Sequence, residues 1–189
     1  MKRVYPNGYW ALISAGTAQP VFGTKLTATL AAPYPSRDGA YPVLTTVTVT
    51  STVWFKKGDW VLIDPLANQT TAFREQVMVY SITDATHIVL QGLQFGHANG
   101  VWLQLAIPCT GVYVQMNPAN VGLIAIGLQG VVESNGHNAI AFLNPNGAGV
   151  QPTEFVDPIN GLANVMKTDD YWFDGAHTGD SILPSCTVQ

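Results

Sequence analysis

The feature that most constrains this chain is a succession of short, β-prone runs, each closed by a turn signal. "KLTATLAA" (25–32), "LTTVTVTST" (44–52), "WVLID" (60–64), "EQVMVYSI" (75–82) and "HIVLQG" (87–92) come first. "VWLQLAI" (101–107), "GVYVQM" (111–116), "GLIAIGL" (122–128) and "AIAFL" (139–143) follow. Between them stand Pro33 to Gly39, Asp64-Pro65, Asp84-Ala85-Thr86, Asn99-Gly100, Asn117-Pro118, Asn135-Gly136 and Asn144 to Gly149. Turn residues at such intervals between β-branched and aromatic runs mean a sandwich or a barrel. Helical periodicity is nearly absent. The best candidate is "DPINGLANVMK" (157–167), and Gly161 with its asparagines weakens it. The expected fold class is therefore all-β.

The middle of the chain has its own character. From Leu44 to Ile107 five strands follow one another. The first alternates Val47 and Val49 with Thr46, Thr48 and Thr50, and the third alternates Val77, Val79 and Ile82 with polar positions. This count suits a small five-stranded β-barrel over 44–107. Residues 1–43 are expected as an N-terminal arm with the first strand or strands of an antiparallel β-sandwich. Residues 108–189 are expected as the rest of that sandwich with a C-terminal arm, the barrel being inserted between the two parts. Insertion requires that the ends of the insert lie close together. Within "VWFKKGDWVLIDP" (53–65), Lys57-Gly58-Asp59 is expected to be a tight turn in which Asp59 bonds nearby backbone amides. Trp60 to Ile63 follow as a buried strand. One glycine with no helix after it does not make a phosphate cradle.

Composition narrows the function classes. Charged residues are 11% of the 189, where about 25% is usual, and the aromatic content of 10% argues against disorder. A surface so poor in charge has two explanations. Either it is covered by copies of the chain or a partner, as interface cores are, or it is the Thr/Asn surface of a robust β-protein. The net charge is −4 and the eight Lys and Arg are scattered, so no basic stripe exists for nucleic acid. No apolar run approaches the ~20 residues of a membrane helix. Pro6, Asn7 and Gly8 interrupt the N-terminal apolar stretch, which makes a poor signal peptide. Two cysteines, Cys109 and Cys186, form neither a disulfide framework nor a metal quartet, and buried thiols are the expectation for a chain made in the cytoplasm.

Catalytic patterns are missing. There is no Gly-x-Ser-x-Gly elbow, and His87, His97, His137 and His177 have no metal-ligand spacing. His97, beside Gly96 and near Asn99-Gly100, is expected to be a loop histidine bonding backbone. Asp174, His177 and Asp180 could gather around a cation, although Asp-Gly and Thr-Gly turns account for the same letters. Asp169 and Asp170, if on a strand, face opposite sides and cannot act together. The expectation is a non-enzyme with no metal and no cofactor.

One resemblance extends this. Asn117 or Asn120, Val121-Gly122, Ile124, Ile126-Gly127, Gly136, then Tyr171-x-x-Asp174-Gly175 and Gly179-Asp180-Ser181-Ile182, resemble small virion proteins of tailed bacteriophages. The stretch from Phe55-x-x-Gly58-Asp59 through Glu75-x-x-x-Val79 to His97-x-x-Gly100 resembles small β-barrel modules in phage structural proteins. The resemblance implies a capsid decoration (cement) protein on the capsid exterior, binding the major capsid protein and copies of itself. The alternative is a tail, neck or fibre component, or a receptor- or glycan-binding module stacking sugars on Trp54, Trp102 or Trp172. Aromatic groups near both termini, Tyr9 and Trp10 with Tyr171 and Trp172, are the expected contacts with neighbouring subunits, since Trp and Tyr dominate binding hot spots. The expected assembly is a cyclic homo-oligomer, a trimer first, or assembly only on the capsid lattice, with neither nucleic acid nor membrane as partner.

Overall fold

The computed structural model describes residues 3–5, 10–31, 43–63, 74–109, 111–144, 154–158 and 166–188. In these the chain is strands and turns, with one 3-10 turn at Thr168–Asp170. In chain order the strands are β1 (Arg3–Tyr5), β2 (Ala11–Leu12), β3 (Gln19–Pro20), β4 (Gly23–Lys25), β5 (Leu44–Thr48), β6 (Trp60–Ile63), β7 (Glu75–Ile82), β8 (His87–Gln91) and β9 (Trp102–Leu105). Then come β10 (Pro108–Cys109), β11 (Gly111–Met116), β12 (Ile124–Val132), β13 (His137–Leu143), β14 (Glu154–Pro158), β15 (Met166–Lys167), β16 (Trp172–Gly175) and β17 (Ser181–Val188). The fold is all-β and its sheets are antiparallel. Of the weak helical candidate at 157–167, both described ends are strand residues and 159–165 lie outside the described residues.

The chain divides into two units, one of Met1–Phe22 with Pro108–Gln189 and one of Gly23–Ile107. In the second unit the strand order is β4-β9-β6-β7-β8-β5. The sheet curls until its outer strands meet. Leu26 bridges Val49, Thr27 N donates to Thr48 O at 2.9 Å, and Thr50 N donates to Lys25 O at 2.9 Å. The result is a curled, barrel-like sheet of six strands, called the barrel below. Five are those the sequence pattern marks out between 44 and 107. The sixth, β4, comes from upstream and pairs with β9, so this unit begins at Gly23 rather than near Leu44. A short run such as Gly23–Lys25 carries no period of its own, and pairing alone decides which sheet takes it.

Period-2 alternation fills the barrel. Val61 lies between Val77 and Leu105, Val79 faces Leu90, and Ile88 faces Val47, all essentially inaccessible to solvent. Of the run expected to be buried at 60–63, Val61, Leu62 and Ile63 are buried but Trp60 is 48% exposed. Trp60 is out of phase with Val61 and Ile63 and points outward.

The first unit carries two larger sheets. One has the order β1-β17-β11-β14 with β2 also on β17, and the other has β13-β12-β16-β3, while β10 pairs with β15. Val112 faces Cys186 and Met116 faces Ile182 on a buried row of the first sheet. From the second sheet come Ile124, Ile126, Trp172 and Phe173, also buried. The Phe155 ring lies tilted against Tyr171, with centroids 6.2 Å apart. The two chain ends are extended and pair with each other. Arg3 to Tyr5 lie beside Cys186 to Val188, and Ala11 and Leu12 beside Ile182 and Ser181. Cys109 and Cys186 are both buried thiols.

Candidate functional site: the outer face of the barrel

The polar groups singled out by sequence are gathered into three constellations. At the first, Asp180 accepts hydrogen bonds from Val121 N at 3.1 Å and Gly122 N at 2.9 Å. Asn120 pairs with both backbone groups of Ser181, accepting from its N at 2.8 Å and donating to its O at 2.7 Å. Asn117 donates to Ser181 Oγ at 3.1 Å. A Cβ at Gly122 would collide with the ring of the exposed His177, which would have to move to make room. The scattered Asn, Gly and Asp positions of 117–122 and 179–182 are thus one corner in space, holding the start of β17 by side chain-to-backbone bonds. Asp174 likewise accepts from Gly175 N at 2.9 Å and Glu133 N at 3.0 Å. Asp174 and Asp180 are occupied by backbone amides and His177 is exposed, and among the described residues no cluster of three metal-ligating side chains forms. Asp170 belongs to the 3-10 turn and not to a strand.

The second constellation is in the barrel. Glu75 shares the inward phase of Val77 and Val79 and stands opposite Ile63. A buried carboxylate must be paired or hydrogen-bonded. Its Oε1 lies 2.8 Å from His97 Nε2, and the carboxylate also accepts from Gln94 N at 3.0 Å and Phe95 N at 3.3 Å. His97 is therefore not a loop histidine bonding backbone through its ring. Its ring is buried against Glu75, its main chain pairs with Leu30, and its Nδ1 has no hydrogen-bond partner among the described residues.

The third is the β7–β8 hairpin. Asp84 accepts from Thr86 N at 2.7 Å and Thr86 Oγ1 at 3.0 Å and meets His87 Nδ1 at 2.8 Å, all at the surface. The Thr86 amide, and after it His87, hold the Asp84 carboxyl below the usual range. In the first unit, desolvation and the neighbouring Glu154 carboxylate push the Tyr113 phenol upward, so it stays neutral.

Apolar side chains stand outside instead. Successive register pairs put Trp60 opposite Met78, Met78 opposite Gln91, and Gln91 opposite Leu44. These four form one outward row across β6, β7, β8 and β5, with Trp60 and Leu44 almost half exposed. A β-bulge at Tyr80 interrupts the pairing between Val79 and Ser81. Bulges re-aim side chains, and here the phenol stands 42% exposed. The Lys57 amine lies 5.5 Å from the centre of its ring. The turn before β6 is as expected from sequence. Asp59 Oδ2 accepts from Lys56 N at 2.6 Å, and Gly58 has φ +87°. That turn also sets Lys57 at the edge of the apolar row.

The aromatic residues expected at subunit contacts are placed differently. Tyr171 and Trp172 are 1% and 0% exposed in the folded chain, which leaves neither side chain open to a neighbour. Trp10 is half-buried, and Tyr9 lies outside the described residues. Of the tryptophans considered for sugar stacking, Trp54 and Trp172 are buried, and Trp102 is half-buried with the Lys25 amine 4.7 Å from its ring centre. Compared with protein-family models, with curated proteins and with solved structures, the chain has no match in any of the three.

Proposed function

We propose that this chain is a non-enzymatic structural protein of a tailed-bacteriophage virion, a decoration protein that binds the capsid shell and neighbouring copies. The observation that supports this is where the two kinds of side chain are placed. Its buried carboxylates are bonded within the fold, whereas large apolar side chains stand exposed on both units: Leu44, Trp60 and Tyr80 on one, Leu12, Val121, Leu128 and Ile140 on the other. Several adhesive points on one charge-poor chain suit many weak contacts repeated over a lattice, where avidity supplies the strength. The test is whether the protein co-purifies with intact particles at capsid-like copy number. Tail-like copy number would move it to the tail or neck, and absence from washed particles would remove it from the virion.

A second reading is favoured by one observation. Trp60 and Tyr80 are exposed aromatics on adjacent strands, which is how a sugar-stacking platform is built. A glycan-binding module would quench Trp60 fluorescence on adding host-surface glycans, and the decoration protein would not.

A further inference from the structure

The charges of this chain are divided between its units. Residues 23–107 carry five basic and five acidic residues, while the rest carries three basic and seven acidic, the whole net charge of −4. Burial sharpens the division. In the barrel Asp59 and Glu75 are buried and bonded, so its described surface presents Lys25, Lys56, Lys57 and Arg74 against the single acid Asp84. In the first unit Glu133, Glu154 and Asp170 reach the surface, and no basic side chain is described there. The row Trp60–Met78–Gln91–Leu44 is therefore a largely apolar face with one cation, Lys57, reaching the neighbouring Tyr80.

A second exposed apolar pair occurs on the β12–β13 hairpin, whose turn carries the acid Glu133. β13 is the outer strand of its sheet, and the register slips by one residue beside Gly127, opposite Ala139. Leu128 and Ile140, the residues after this pair, are 51% and 52% exposed, and Glu133 lies in the turn. We propose that the barrel face of one copy docks on the β12–β13 hairpin of a second copy, Trp60 and Leu44 against Leu128 and Ile140, Lys57 toward Glu133. This contact is heterologous, because it joins two different surfaces. Repetition closes it into a ring or extends it into an array, and each contact, with a handful of side chains per partner, is of the weak class. The inference rests on the assembly reading above and names the copy-to-copy contact within it.

The experiment uses two full-length variants, each checked for native near-UV circular dichroism. One has a disabled barrel face (Trp60→Ala with Lys57→Glu) and the other a disabled hairpin (Leu128→Ser with Ile140→Ser). Sedimentation velocity at low salt should show wild-type assemblies larger than a dimer. Each variant alone should be monomeric, with self-association weakened at least about tenfold. Mixed one to one, the variants should form a dimer and stop there, since one working face remains on each. Raising salt should weaken both wild-type and mixed association. A hairpin-disabled variant that still self-associates would mean barrel-to-barrel contact and overturn the inference, as would a wild type that stays monomeric at low salt. A monomer that nevertheless binds shells loses this contact and keeps the decoration role. Assembly without any binding to particles does the reverse.

Discussion

Gly58 and Lys57 are neighbours with separable duties. Gly58 sits at φ +87° with open space where a Cβ would stand, so a side chain there meets no clash and is strained only by the backbone. Gly58→Ala should cost about 1–2 kcal/mol in urea unfolding, the left-handed penalty of an L-residue. Lys56→Ala with Lys57→Ala should stay within ~0.5 kcal/mol of wild type, because both side chains are exposed. If the double alanine variant unfolds far more easily, the lysines belong to the fold and not to the docking face. Glu75 and His97 present the reverse case, a polar pair that the core requires. Removing the imidazole leaves a buried carboxylate held, among the described residues, by the Gln94 and Phe95 amides. His97→Ala should therefore lose about 3–5 kcal/mol, and Glu75→Gln less, because an amide oxygen still accepts from the same backbone. Equal, small losses in both variants would show that the pair is not buried in solution.

At the scale of elements, the β7–β8 hairpin makes a pH-dependent prediction. The Asp84 carboxyl titrates below its ordinary value because the Thr86 amide and His87 favour its charged form. A depressed carboxylate contributes stability that is present above the unfolded-state value and lost as pH falls through the folded one. The stability difference between wild type and Asp84→Ala should therefore be complete near neutral pH and disappear in acid. A difference that persists unchanged in acid would assign it to chain entropy instead. Strand positions were legible in the sequence because period-2 alternation of Val, Ile and Thr states which residues face inward. The corner at Asn120, Gly122 and Asp180 was legible as letters but not as a place, since its parts are some sixty residues apart in sequence. Trp60, Met78, Tyr80 and Leu44 escaped notice for another reason. An apolar residue in a β run looks like core unless its phase is compared with its neighbours. Trp60 is out of phase with Val61 and Ile63, and Tyr80 with Val77 and Val79. That Tyr171 and Trp172 belong to the core was not decidable from letters alone, because aromatics serve cores and interfaces alike.

For the whole molecule, the main question is whether the inserted unit is a module or a lobe dependent on its host. Topology favours a module. β4 and β9 are antiparallel neighbours with Gly23 opposite Gln104, so the chain enters the barrel beside the point from which it leaves. The Leu26–Val49 bridge and the Thr27–Thr48 and Thr50–Lys25 hydrogen bonds join the ends of β4 and β5, which shortens the open edge there. Every strand contributes buried residues, the short β4 through Thr24, with Leu26 just beyond it continuing the same phase. Eighty-five residues are enough for a domain to fold alone, though with a modest margin. A fragment spanning residues 23–107 should therefore unfold cooperatively and give dispersed amide resonances, while Val49→Asp, which buries a charge at the seam, should abolish both. The same fragment should be monomeric at concentrations where the full chain associates, because it carries the barrel face but no β12–β13 hairpin to receive it. A fragment that is collapsed but not cooperative would make the barrel dependent on its host unit. A fragment that self-associates as strongly as the full chain would place the contact within the barrel alone.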